Sequence, residues 1–132
     1  MCLLERVLSV DNDTITCGSH THLLESNPLR NQGRLAAVHL CEYGAQATAV
    51  HGALSARMHA AAAPGWLVAL RDVKLNIEYL DECSVLHTDN ELRVTATRQH
   101  ASASGCMYEF VVSMGSQQLV SGKATIMTRS DV

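Results

Sequence analysis

Glu42 is the residue of this 132-residue chain best placed for acid–base chemistry. It lies within Gly33 to Arg57 (GRLAAVHLCEYGAQATAVHGALSAR), an apolar run with helical spacing, and no Lys or Arg occurs within a turn of it. On a helix, Leu35, Val38, His39, Glu42, Ala45, Gln46, Ala49 and Ala53 share one stripe, which makes His39 the titratable neighbour of the carboxylate. A carboxyl group buried there without a cationic partner has its pKa raised toward the range useful for proton transfer. The plainer alternative is a partly exposed Glu that only favours helix. Cys41 is a weaker candidate, as a nucleophile, because ordinary helical spacing accounts for its position.

The elements that must position Glu42 follow from the same patterning. The opposite stripe (Ala36, Leu40, Tyr43, Ala47, Val50, Leu54) is no more polar, and a helix apolar all round is normally buried. Gly33 sits just before this helix, where the N–H groups of a first turn carry partial positive charge and stabilise a negative substrate oxygen. The pattern fades through Met58 to Ala63 and Pro64-Gly65 stops it.

Upstream, Leu3–Val10 and Thr14–His20 are rich in branched residues and flank Asp-Asn-Asp, a turn composition, so two short strands are expected. His20–Gln32 is polar, contains Asn27-Pro28, and reads as a loop. Downstream, Trp66–Tyr79 alternates as a half-buried strand until Asp81-Glu82. Leu92–Gln99, Met107–Met114 and Leu119–Thr128 supply three more strands, with turns at Ala101–Gly105 and Gly115–Gln118, as in an antiparallel meander. The expected architecture is α+β: one domain over 1–132 in which a curved antiparallel sheet wraps a long central helix.

Composition excludes several functions. A net charge of −3 without a block of Lys or Arg argues against nucleic acid. Glu5 and Arg6 interrupt the first apolar run, which disqualifies it as a signal-peptide core, and no run is long enough to span a membrane. A cytoplasmic protein with no membrane association is expected. Five scattered cysteines (Cys2, Cys17, Cys41, Cys83, Cys106), none in a C-x-x-C pair, suggest neither a disulfide framework nor a metal site. No cofactor is called for.

The element order and Glu42-Tyr43-Gly44-Ala45-Gln46 resemble the beta-hydroxyacyl-[acyl-carrier-protein] dehydratases of the hotdog fold, whose central helix carries an acid followed four residues later by Gln. Asn27-Pro28, Gly33, Glu42-Tyr43 and Ala45-Gln46 are similar to a small bacterial branch of that family associated with aryl-polyene-type lipid synthesis. The resemblance covers almost the whole chain. It departs at one position: the family's catalytic His lies fourteen residues before the acid, where this chain has Pro28, and the H-F-P-x-x-P-x-x-P-G segment is not reproduced. His22, twenty residues before Glu42, is the substitute the longer loop offers, with His20 and His39 as competitors.

The resemblance implies dehydration of 3-hydroxyacyl thioesters of acyl carrier protein in fatty acid or polyene lipid synthesis. Glu42 is then the acid and His22 the base, while N–H groups near Gly33 face the thioester oxygen and Gln46 orients the carboxyl group or the substrate. Ala45, Ala49 and Ala53 leave room for an apolar tunnel or, equally, for close helix–sheet packing. Two alternatives stay open: an acyl thioesterase using the same acid, and a catalytically degenerate partner in a lipid-synthesis complex. A homodimer is implied, with sites at the interface, or pairing with another hotdog subunit.

Overall fold

Alternating branched residues bounded by turn-forming ones make six strands, and the computed structural model describes them within residues 2–59, 65–82, 90–102 and 104–128. β1 (Arg6–Val10) and β2 (Thr14–Ser19) form a hairpin whose Asp11 carboxylate accepts the N–H groups of Asp13 and Thr14, as the Asp-Asn-Asp composition leads one to expect. Next come the helix α1 (Leu40–His59) and the strands β3 (Gly65–Leu75), β4 (Leu92–Ser102), β5 (Gly105–Met114) and β6 (Gln117–Thr128). They build one sheet in the order β1-β2-β4-β5-β6-β3, antiparallel throughout. The last three strands form the expected meander. β3 does not enter it beside β4, because β2 already occupies that side of β4; β3 lies instead on the outer side of β6.

The helix begins at Leu40 rather than near Gly33, preceded by a 3₁₀ turn at Ala37–His39. The backbone before it is committed elsewhere: Ala37 N–H donates to the Glu78 carbonyl, Leu80 N–H donates to that of Leu35, and Ala36 bridges Tyr79. Gly33 sits in a tight turn closed by reciprocal hydrogen bonds between Asn31 and Arg34, with Gln32 and Gly33 both at positive φ (54° and 76°). Two successive left-handed residues are what such a turn demands, which explains the glycine.

One face of α1 is buried: Leu40, Cys41, Tyr43, Gly44, Ala47, Thr48 and His51, at the 3–4 spacing of a helix face, pack toward the sheet. Glu42, Ala49, Gly52 and Ala53 are exposed. The expectation of a helix buried all round, with Glu42 inside, is therefore corrected: a single sheet covers only one face. Phe110 from β5 fits between two glycines, since a Cβ on Gly44 would stand 2.5 Å from its ring and one on Gly122 would stand 2.9 Å away. His51, fully buried, pairs through Nδ1 with the Tyr108 hydroxyl at 2.5 Å and through Nε2 with the Asp11 carbonyl at 3.0 Å, tying helix to strand and hairpin.

β3 does not follow the half-buried pattern either. Leu67, Val68, Leu70, Val73 and Leu75 are all 37% or more exposed, and the edge of β3 away from β6 pairs with no strand among the described residues. The helix stop at Pro64 and the thiol of Cys83 lie outside the described residues. Among those described, no helix is long and apolar enough to cross a membrane.

Candidate active site

The loop between β2 and α1 carries His22 in a 3₁₀ turn (Thr21–Leu23), and side chains fix that turn from several directions. Asn27 Nδ2 donates to the Thr21 carbonyl (3.0 Å) and to the Tyr43 hydroxyl (3.1 Å), which lies 2.8 Å from Thr21 Oγ1. Thr21 Oγ1 donates in turn to the Leu3 carbonyl (2.6 Å), so the hydrogen bonds run in one direction, from Asn27 through Tyr43 and Thr21 to Leu3. A directional chain of buried polar groups polarises along its length and holds its members in one arrangement. Burial raises the Tyr43 pKa against the opposing effect of its hydrogen bonds with Thr21 and Asn27, so the phenol keeps its proton. Leu3 is also held from the other end, where its N–H donates to Gln46 Oε1 (2.7 Å).

Arg30 fastens the far side of the loop. Its Nε donates to the Leu24 carbonyl (3.0 Å), Nη2 to the His22 carbonyl (2.5 Å), and Nη1 to the Gly33 carbonyl (2.9 Å) and Asp81 Oδ1 (3.0 Å). Asp81 accepts the Leu35 N–H through its other oxygen. Burial pushes the Asp81 pKa up, but the bonds from Leu35 and Arg30 together outweigh it and hold the group below the usual carboxylate range.

Within this fixed frame His22 is 1% exposed, and neither ring nitrogen makes a close, well-aligned hydrogen bond among the described residues, the Asn90 backbone being a looser polar neighbour. Burial first and the neighbouring His20 second depress its pKa to about 4; hydrogen bonding to the Asn90 backbone opposes this, Arg30 adds to the lowering, and Glu5 opposes it least. The ring is neutral near pH 7 and keeps a basic lone pair. Buried polar atoms without partners are rare in native proteins and costly, which singles this ring out.

Glu42 occupies the other side of the helix. Its side chain is exposed, so the expected burial is absent from the single chain, and it does not reach His22. The turn before it borders an open groove of about 520 Å³ lined by Ala36, Val38, Leu75, Ile77 and Tyr79 among others. A smaller recess of about 140 Å³ adjoins it, with His39 and Arg34 in its wall. The Arg34 guanidinium stacks 3.5 Å from the centroid of the Tyr79 ring. Val38 is 50% exposed and His39 half-buried, each a turn ahead of Glu42.

Glu42 thus lies one helical turn after Val38 and His39, which line the groove and the recess, but itself lines neither, while His22 is buried in the loop. His20 lies at the surface with its backbone N–H and ring turned to the Glu5 carboxylate. Gln46 is engaged with Leu3, and Gly33 lies in its turn seven residues before α1, with its carbonyl on Arg30. Cys41 is buried, and burial with the adjacent Glu42 raises its pKa, the opposite of what a nucleophile needs. Tyr43, Asn27, Thr21, Arg30 and Asp81 were not singled out from the sequence as site residues. Asn27-Pro28 and Glu42-Tyr43 carry the resemblance there, and the former marks a turn in which Asn27 Oδ1 accepts the Leu29 N–H. No cluster of three His, Cys, Asp or Glu able to hold a metal occurs among the described residues.

The whole chain, residues 1–132, matches the family described as ApeP-like, ApeP dehydratase. No curated protein sequence matches it. Among solved structures it is similar to the dehydratase heterocomplex ApeI:P from Xenorhabdus doucetiae, with a TM-score of 0.79, 20% identity, and coverage of 98% of this chain and 84% of that one. It is also similar to AziG of S. sahachiroi, with a TM-score of 0.68, 11% identity, and coverage of 93% and 89%. A hypothetical thioesterase with coenzyme A from Streptococcus pneumoniae TIGR4 gives a TM-score of 0.68 at 8% identity, covering 96% and 86%. At these identities the structures establish the hotdog fold, in which one helix lies on a six-stranded antiparallel sheet.

Proposed function

This chain belongs to the ApeP-like dehydratase family, and from that premise we propose that it removes water from 3-hydroxyacyl thioesters carried on acyl carrier protein, in fatty acid or polyene lipid synthesis in the cytoplasm. The observation that carries the reading is the position of Glu42, a carboxylate on an otherwise apolar outward face, one turn past the walls of an apolar groove. Among the described residues it forms no ion pair that would account for it.

Dehydration needs an acid for the departing hydroxyl, a base for the proton alpha to the thioester, and donors that polarise the carbonyl. Glu42 is the proposed acid. His22, neutral and with no described side chain hydrogen-bonded to its ring nitrogens, is the proposed base. Gln46 and the Gly33 turn support the site indirectly, through Leu3 and Arg30 respectively.

Since Glu42 faces outward and the apolar β3 has an edge unpaired among the described residues, the site is completed by a second subunit. Ala49 and Ala53 on the outward face of α1, with Leu67 to Leu75 on the edge strand, are the surfaces a second hotdog subunit would cover. That subunit is a second copy of this chain or a different hotdog protein, and the ApeI:P neighbour, itself a heterocomplex, supports the latter.

One observation favours a second reading, in which this subunit is a non-catalytic partner: His22 does not reach Glu42 within the chain. The test is turnover of a 3-hydroxyacyl carrier-protein substrate to the enoyl product, with free thiol followed in parallel. Enoyl product lost in Glu42→Gln supports the dehydratase; thiol release alone means a thioesterase. Turnover that persists in Glu42→Gln refutes the role of Glu42, and no turnover by this protein in any pairing leaves the partner role.

A further inference from the structure

Arg30 and Asp81 are 51 residues apart in sequence, yet together they close the loop that carries His22. The guanidinium is largely buried, its side chain only 15% exposed, and its bonds reach the carbonyls of His22, Leu24 and Gly33 as well as the Asp81 carboxylate. Three backbone carbonyls gathered by one side chain is more than an ion pair requires. Arginine is suited to this because its donors spread in a rigid plane, whereas an ammonium is a single point. Asp81 orients the fork with one oxygen and, with the other, holds Leu35 N–H, just where the chain turns toward α1.

We propose that Arg30, oriented by Asp81, is the positioning residue of this site: its Nη2–H···O=C bond to His22 sets the backbone at that residue and so the direction of the imidazole. Thr21 secures the preceding residue through Leu3 and Tyr43, so the two anchors grip His22 from both sides. Neither anchor hydrogen-bonds the ring. The ring is thus aimed from its backbone and by packing, with the Asn90 backbone as its nearest polar influence, and no described side chain hydrogen-bonds its nitrogens. The inference rests on the assignment of His22 as base, but its effect on the ring can be read without turnover.

The test is Arg30→Lys, which retains the charge and removes the fork, with Asp81→Asn as a second variant that retains an acceptor for Leu35 and removes the charge. Imidazole resonances of the ¹⁵N-His-labelled protein are followed with pH. His22 in the parent chain should stay neutral to about pH 4. In Arg30→Lys its pKa should rise by about one unit or more toward the ordinary histidine value, because the loop loosens and water enters while the local charge is kept. Enoyl formation should fall on the order of 10–100-fold in kcat with KM little changed. Asp81→Asn should move both in the same direction by less. Folding is checked by the far-UV signal, and if Arg30→Lys does not fold, Asp81→Asn decides alone. An unchanged His22 titration in a folded variant overturns the proposal. If His22 shifts while the parent chain shows no turnover, the positioning holds and only the enzymatic assignment fails.

Discussion

The hydroxyl of Tyr43 lies 2.8 Å from Thr21 Oγ1, so the helix residue next to the carboxylate is bonded to the turn next to the proposed base. Removing that oxygen in Tyr43→Phe leaves Thr21 its bond to Leu3 and Asn27 its bond to the Thr21 carbonyl, but strips one acceptor from a buried amide. We expect a loss of about 1–3 kcal/mol in denaturant unfolding, the usual cost of a buried group left short of a partner. Enoyl formation should fall with it. Unchanged stability would show that the hydroxyl chain does not join loop to helix.

Glu42→Gln should separate chemistry from folding. The side chain is exposed in the subunit, and a surface substitution of this kind changes stability by about 0.5 kcal/mol or less. Loss of a general acid costs about 10²–10⁴ in rate. Kinetics of enoyl formation beside a thermal melt check both halves.

Acid sensitivity should trace to His22. Its folded pKa is lowered, so between about 6.5 and about 4 the unfolded chain binds a proton that the native chain does not. The stabilisation is thus complete above 6.5 and is lost as pH falls toward 4, by on the order of 3 kcal/mol for such a shift. His22→Leu should flatten the stability profile over that window and abolish turnover. A profile equally steep in the variant would assign the acid sensitivity to other groups.

The edge of β3 should set the oligomeric state. Leu70 is 40% exposed on a strand whose outer side is unpaired among the described residues, and a lysine there is the kind of residue that natural edge strands use to prevent pairing. Sedimentation of the parent chain, alone or with a second hotdog subunit, should give a dimer, and Leu70→Lys should give monomers without turnover. A monomeric parent that turns substrate over unaided would contradict the shared site.

Gly44→Ala should be unfavourable although alanine is the better helix former. The propensity gain is about 1 kcal/mol, while overpacking a core commonly costs about 1–3 kcal/mol. The new Cβ would stand 2.5 Å from the Phe110 ring, so overpacking should win. Thermal unfolding checks the sign, and Phe110→Leu in the same chain should recover part of the loss.

Much of the fold was legible because alternation in β4 to β6 and the period of α1 depend on local spacing. The start of the helix was not, since Leu35 and Val38 continue its apolar spacing although residues 35–37 are bonded to Glu78 and Leu80. Nor was the exposure of Glu42. Periodicity reports that a face avoids water, but not whether its own sheet or another subunit covers it. The apolar alternation in β3 misled for the same reason. Of the site, the carboxylate stood out because no Lys or Arg lies within a turn of it, and the loop histidines came from the family resemblance. Arg30 and Asp81 were silent because nothing local marks a contact across 51 residues.

The gap at Gly44 has a consequence beyond packing density. With Phe110 pressed into it, the helix cannot roll about its axis without driving Ala45 or Tyr43 into the ring, so its azimuth is locked by a side chain that is missing. That azimuth decides where residue 42 points. A variant enlarged at this position could keep every polar group of the site and still aim its carboxylate away from the substrate.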